Sequence, residues 1–175
     1  MRPTALEQRP PNRLWVTDIT EFRLKGKTKV YLSPIIDCFD GWPVAWSMGL
    51  SPTSFFAIES LLKACATLSA GERPVIHSDR GSHYRWDGWI GICERYGLTR
   101  SMSRLGASAD NARAEGFFGI LKREFFYERD WSEVAVQQFV ELLDQWLENF
   151  RTQRIRQTLG WLTPYEYRQA LGYAL

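Results

Sequence analysis

Three strand-like runs, LWVTDITEFRL (14–24), KVYLSPIIDCF (29–39) and PVAWSMGL (43–50), are joined by nothing longer than KGKT and DGW. All three are rich in β-branched and aromatic residues, and both links hold turn formers. Parallel neighbours need a crossover of a dozen or more residues, so links this short impose an antiparallel meander. After Thr53 the period changes: Ile58, Leu61, Leu62, Cys65 and Leu68 follow helical spacing, with Thr53 or Ser54 as the cap and Gly71 beyond the end. Strands and helices then alternate. RPVIHSD (73–79) is followed by a helix with Trp86, Trp89, Ile90 and Cys93 inward and Gly97 at its end. LTRSMS (98–103) comes next, then a helix opened by Asp110 with Ala114, Phe117, Phe118, Leu121 and Phe125 on its apolar side. A long helix from about Ser132 to Phe150 follows, and TPYE (163–166), a capping-box pattern with proline at the first helical position, starts a last short helix. This order predicts an α/β fold, a mixed sheet flanked by helices.

The bulk properties narrow the function less. A chain of 175 residues suits one domain with a sizeable core. Residues 1–13, with three prolines, read as an extended arm; 14–130 form the core unit, and 131–175 a helical extension of the same domain. A net charge of +2 permits nucleic-acid binding without demanding it. Cys38, Cys65 and Cys93 lie far apart and form no CxxC pattern, which argues against a disulfide framework or a zinc site and for buried thiols in a reducing cytosol. No apolar stretch reaches the roughly 18 residues that span a bilayer, and the N-terminus lacks a signal-peptide core. The expectation is a soluble protein of the cytoplasm.

Among 20 acidic residues, three stand in unusual positions. Asp18 lies inside the apolar run WVTDIT, where a carboxylate is costly unless paired, hydrogen-bonded or bound to a metal. Asp79 ends the strand that opens HSDRGSHY (77–84), and Gly81 lets the chain turn away behind it. Glu115 lies in the first turns of a helix beside Gly116 and Gly119, two poor helix formers that suggest close approach by a ligand or another backbone. Hard oxygen ligands from separate elements suit Mg²⁺ or Mn²⁺, and three carboxylates around two such ions suit in-line phosphoryl transfer. The plainer reading is three unrelated acids, with Asp79 in a turn and Glu115 favoured by the helix dipole.

The motifs WVTDIT, YLSPIID, HSDRGSHY, SMSRLGASADNARAEGFFGILKRE and RIRQTLGWLTPYEYR occur in this order, and 35 residues separate Asp79 from Glu115. Together they resemble the integrase catalytic core of bacterial insertion-sequence transposases, in the IS-three group, related to retroviral integrases. The resemblance runs from about residue 12 to 171. It implies a ribonuclease H-like fold with a five-stranded mixed sheet and a C-terminal helical extension. It also implies that Asp18, Asp79 and Glu115 hold two Mg²⁺ or Mn²⁺ ions for DNA 3′-end cleavage and strand transfer. The partners it implies are DNA, as element ends and target, and further copies of the chain in a homo-oligomer.

Other residues carry two readings each. Lys122 lies two helical turns after Glu115 and Asn111 four residues before it, on the same face. The resemblance makes Lys122 a contact to DNA phosphate; the alternative is a solvated lysine. Arg80 either reaches a phosphate or is solvated beside the turn, and His77 either approaches the metal site or is a buried, hydrogen-bonded histidine. Arg151, Arg154 and Arg156 form either a basic edge that tracks DNA backbone or a solvated helix end. Asp37 reads as the support of a turn at a strand end, and Asp110 as a helix cap.

Two departures from the family pattern stand out. Phe150-Arg151 occupies the place of a tyrosine-asparagine pair in many relatives, and the chain begins almost at the catalytic core. Members of the group usually carry an upstream helix-turn-helix region, so the expectation is an excised domain or a truncated reading frame without it. The alternatives to a transposase are a ribonuclease H-like nuclease that only hydrolyses, and a DNA-binding remnant that inhibits full-length transposase.

Overall fold

The alternation of residues along the first and third strands decides how the molecule is layered. In the computed structural model, which describes residues 10–103 and 112–173, Trp15 and Ile35 face one helical layer while their neighbours Val16 and Ile36 face the other. Successive strand residues point to opposite faces, and here both faces are apolar because both are covered.

The strands are β1 (Leu14–Thr17), β2 (Thr20–Arg23), β3 (Lys29–Asp37), β4 (Pro43–Gly49), β5 (Val75–Ser78) and β6 (Thr99–Met102). β3 pairs antiparallel with β4 on one side and with β1 and β2 on the other, while β5 runs parallel to β1 and β6 parallel to β5. The expected meander is present, and the parallel strands follow helical crossovers. One expectation needs correction: the run 14–24 is two segments, not one strand. Thr17↔Ile35 and Thr20↔Leu32 belong to the same register, which sets Pro34 opposite Asp18 in the interruption. Proline has no N–H to give a ladder. The Ile19 N–H donates instead to the Asp18 carboxylate at 2.8 Å. Since β1 and β2 share one register on β3, the sheet is five-stranded in effect.

On one face lie α1 (Ser54–Cys65) and α2 (Asp87–Tyr96), which bury Ala57, Ile58, Leu61, Trp89, Ile92 and Cys93 against Trp15, Ile35 and Ile76. Thr53 caps α1 by accepting the Phe56 N–H, and Gly97 ends α2 in the left-handed conformation at φ 69°. Trp86 is not inward: it precedes α2 and is 46% exposed, and Ile92 is the buried residue in place of Ile90. The other face carries α3 (Ala112–Leu121), a π-helical turn (Lys122–Phe126) and α4 (Val136–Thr152). Ala114, Phe117, Phe118, Leu121 and Phe125 are all buried, joined by Phe139, Leu143, Leu147 and Phe150 of α4. The helix expected from Ser132 starts at Val136, because residues ahead of it form a turn in which Asp130 accepts the Ser132 N–H and the Trp131 indole donates to the Phe126 carbonyl.

α5 (Pro164–Ala170) has the capping box read from TPYE, with Thr163 and Glu166 bonded reciprocally. Its Arg168 is buried and donates to both carboxylate oxygens of Asp40, at 2.7 and 2.9 Å, and to Asp37 at 3.0 Å. Asp37 ends β3 and also accepts the Asn12 and Phe39 N–H groups, so it does support the turn. Burial pushes the thiols of Cys38 and Cys65 up to about 12 and that of Cys93 up to about 11, and all three are free. No helix among the described residues is long and apolar enough to cross a membrane.

Candidate active site

The sheet register itself brings two of the acids together. β1 and β5 run parallel with Leu14↔Val75, Trp15↔Ile76 and Val16↔His77 in register, and continuing that register past the last pair places Asp18 beside Asp79. Two parallel strands thus end at the same level, each delivering an aspartate. Glu115 is an exposed residue in the first turn of α3, whose Ala114, Phe117 and Phe118 pack onto the Val16 side of the sheet.

The electrostatics follow from this placement. Burial pushes the Asp18 carboxyl up to about 6; the Ile19 N–H works against that, and the charges of Asp79 and Glu115 add to it. Among the described residues, no cation is one of the groups that move it. Asp79 is oriented by its own turn, its Oδ1 accepting the Gly81 N–H at 2.8 Å. A Cβ at position 81 would stand 2.9 Å from that oxygen, so a side chain there would have to displace the carboxylate. Among the described residues no three His, Cys, Asp or Glu side chains stand close enough together, as placed, to hold a metal ion. The donor set nevertheless fits a hard divalent cation: two adjacent aspartates and a glutamate, acceptor-only, half-buried or exposed, with mutual repulsion that such a cation would relieve.

Around the acids, several sequence-derived candidates find ordinary partners. His77 has its Nδ1 2.9 Å from the Ser101 hydroxyl and its Nε2 3.1 Å from the Ser103 hydroxyl, so both ring nitrogens tie β5 to β6 and its neighbouring loop. Arg80 donates from Nε to the Ser103 carbonyl and remains exposed. Lys122 is half-buried at the first residue of the π-helical turn, on the Glu115 side of α3. Asn111 and Asp110 lie outside the described residues. Gly116 and Gly119 are exposed, and nothing among the described residues lies within 4 Å of a Cβ at either, so no packed backbone explains them.

The three arginines in the last turn of α4 and just beyond it are engaged within the chain. Arg151 pairs with Glu148 and lies over the rings of Trp42 and Trp46, 5.1 Å from each centroid. Arg154 holds Glu124 with two hydrogen bonds, from Nε at 2.8 Å and Nη2 at 2.5 Å. Arg156 donates to the Asp40 carbonyl. Sequence reasoning missed the Arg168–Asp37–Asp40 cluster; the capping box placed α5, but nothing local announced the acids that Arg168 meets.

An integrase core domain model matches residues 8–108, and a second integrase core domain model matches residues 96–164. The chain belongs to the integrase core family. This integrase core is 49% identical over 162 residues to a probable transposase for insertion sequence element IS1353 of Shigella flexneri, covering 93% of this chain and 31% of that protein. It is 39% identical to the putative transposase InsK for IS150 of Escherichia coli, covering 90% of this chain and 55% of that one. A transposase-like protein of Haemophilus influenzae is 35% identical, with 90% of this chain and 71% of that protein covered. The chain therefore spans only about a third to a half of the length of the first two relatives. Among solved structures, the HTLV-2 integrase catalytic core in complex with magnesium matches with a TM-score of 0.67 at 20% identity, covering 90% of this chain and 96% of that one. A simian T-cell lymphotropic virus intasome matches with a TM-score of 0.68 at 26% identity, over 83% of this chain and 50% of that one. The fold is that of retroviral integrase catalytic cores, ribonuclease H-like.

Proposed function

We propose that the chain is the catalytic core of a DNA transposase, which cleaves DNA 3′ ends and transfers them to a target with Asp18, Asp79 and Glu115 as the catalytic and metal-holding residues. The observation that carries this reading is the parallel register that runs Asp18 beside Asp79, with the charges of Asp79 and Glu115 felt at Asp18 and no cation among the described residues offsetting it. Divalent ions bound there, two Mg²⁺ or Mn²⁺, would supply Lewis-acid stabilisation of the phosphate oxygens and activation of the attacking oxygen. The chain's own part is to hold the ligands. Ile19 N–H fixes one oxygen of Asp18, and Gly81 N–H fixes one oxygen of Asp79.

In the reaction a water oxygen, and then a DNA 3′-hydroxyl, attacks phosphorus in line, and the bond from phosphorus to the leaving 3′ oxygen breaks. In this reading Lys122 and Arg80 meet the phosphate backbone, and Asn111 joins them on sequence grounds. Arg151, Arg154 and Arg156 already have internal partners and are not needed for this reading. DNA ends, target DNA and a second copy of the chain are the partners it requires, since two ends must be joined to one target.

The test is to incubate the protein with Mg²⁺ or Mn²⁺ and labelled element-end DNA beside the Asp79→Asn variant. Strand-transfer products lost in the variant are the expected result. Hydrolysis without transfer would make the chain a nuclease, and DNA binding without products in either metal would overturn the catalytic reading.

A further inference from the structure

The turn that leads into α5 holds a side chain that its own backbone disfavours. Gly160 and Trp161 follow one another with φ of 70° and 65°, both in the left-handed region. Two such residues in a row favour glycine, asparagine or aspartate, and a bulky side chain there is under strain. The other non-glycine residue with positive φ among those described is Asn12, a type that tolerates it. The turn is nonetheless held at several points. The Arg156 N–H donates to the Leu162 carbonyl at 3.0 Å, the Trp161 N–H to the Arg156 carbonyl at 3.1 Å, and the Gly160 N–H to the Gln157 carbonyl at 3.1 Å. Leu159 is buried, the Arg156 guanidinium donates to the Asp40 carbonyl, and the Thr163 cap of α5 follows at once. The backbone is thus fixed in a conformation that the tryptophan opposes, and the ring adds little to the fold in return. It is 67% exposed, and among the described residues its indole has no hydrogen bond, ring contact or cation against it. A strained residue kept at a rigid, solvent-facing tip points to use by a partner.

We propose that Trp161 is a stacking platform for DNA, the turn from Arg156 to Leu162 presenting its indole to an unpaired base. The inference rests on the DNA reading of the chain and is independent of the cation site. Every base has a flat π face, so one projecting indole holds it without choosing its sequence. An apolar protein partner needs a contiguous apolar patch. Around this ring the exposed neighbours Gln157, Thr158 and Gly160 are polar or small, and the exposed Ile155 stands before the Arg156–Leu162 bridge that closes the turn. No acidic residue lies between Glu148 and Glu166, so no carboxylate of this segment repels a phosphate backbone. The arginines of the same segment keep their internal partners, so the turn offers a face for stacking and not a charge.

Fluorescence anisotropy of a labelled single-stranded oligonucleotide in metal-free buffer tests it without turnover. Wild type, Trp161→Gly and Trp161→Phe are compared over a range of salt, with the melting temperature and sedimentation of each. The expected result is binding by wild type, affinity about tenfold weaker in Trp161→Gly, and affinity within about threefold of wild type in Trp161→Phe, which keeps a ring. The salt slope of Trp161→Gly should equal that of wild type, because stacking releases no counterion. Its melting temperature should be equal to or above wild type, because glycine accepts the backbone conformation. Binding by Trp161→Gly indistinguishable from wild type overturns the role of Trp161 and leaves the DNA reading standing. A lower melting temperature with the weaker binding also overturns it, because the ring would then be a packing residue. A change of oligomeric state in Trp161→Gly overturns it in favour of an interface between copies of the chain. Absence of DNA binding by wild type overturns the DNA reading and the role of Trp161 with it.

Discussion

The two ends of the central strands each carry a pair of aspartates, and the protein treats the pairs in opposite ways. At the end of β3, Asp37 and Asp40 are buried and are met by the guanidinium of Arg168, with backbone N–H groups from Asn12, Phe39 and Trp42 filling further positions. At the far end, Asp18 and Asp79 lie side by side with one backbone N–H each, and among the described residues no cation offsets the Asp18 charge. A buried acid that meets its own arginine is complete and structural. In the proposed reading, the pair at the ends of two parallel strands is completed by a divalent cation. The contrast supports the proposed site better than either pair does alone.

The largest effect expected from breaking this contrast is at the satisfied end. Arg168→Ala leaves two buried carboxylates without their counter-charge, and loss of one partner of a buried pair costs about 3–5 kcal/mol. Urea denaturation should show that loss, whereas Asp79→Asn should unfold no more easily than wild type. At the open end the effect falls on turnover. Asp79→Asn should slow DNA strand transfer at least about 100-fold, equivalent to about 2.7 kcal/mol in the barrier, with an unchanged melting temperature.

A smaller effect reports on the burial of Asp18 and, added to it, the repulsion from Asp79 and Glu115. The folded-state pKa of Asp18, about 6, lies above its ordinary value of 3.8. The proton is therefore bound more tightly in the folded chain. The stabilising contribution is fully present below about pH 4 and lost as pH rises through about 6. Asp18→Asn should make the metal-free protein more stable than wild type at pH 7.5, by about 1–2 kcal/mol after allowing for solvent screening. The difference should vanish towards pH 4, and thermal melts across that range would show it. A variant that is less stable than wild type at pH 7.5 would contradict the picture of an uncompensated acid.

How much of this was legible in the sequence depends on the distance over which each cause acts. The period change at Thr53, the cap at Gly97 and the capping box at Thr163 are local, and the elements stand where those signals put them. Asp18, Asp79 and Glu115 could be singled out because their positions are odd within their own segments. The break between β1 and β2 could not, since it depends on Pro34 in a different strand. The π-helical turn was equally hidden: it lets consecutive Phe125 and Phe126 both pack against Trp131 and Phe139, a demand made by residues further along the chain. Arg151, Arg154 and Arg156 read as a basic edge because sequence shows charge and not partners. Glu124 lies 30 residues before Arg154, and Asp40 lies 128 before Arg168.

Those internal partners set the smallest effect. Arg154→Gln removes a partly exposed ion pair and should cost less than about 1 kcal/mol. It should leave the slope of DNA affinity against salt unchanged, whereas Lys122→Ala should reduce that slope by about one. A slope reduced by about one in Arg154→Gln would return that arginine to the DNA interface, and an unchanged slope in Lys122→Ala would remove the lysine from it.

The most direct measurement is anomalous scattering from a crystal of the chain soaked in Mn²⁺. The account predicts an anomalous peak between the carboxylates of Asp18 and Asp79, with Glu115 beside it, and none at Asp37 and Asp40. Mn²⁺ absent from the Asp18–Asp79 pair, or bound instead at the Arg168 end, would contradict it.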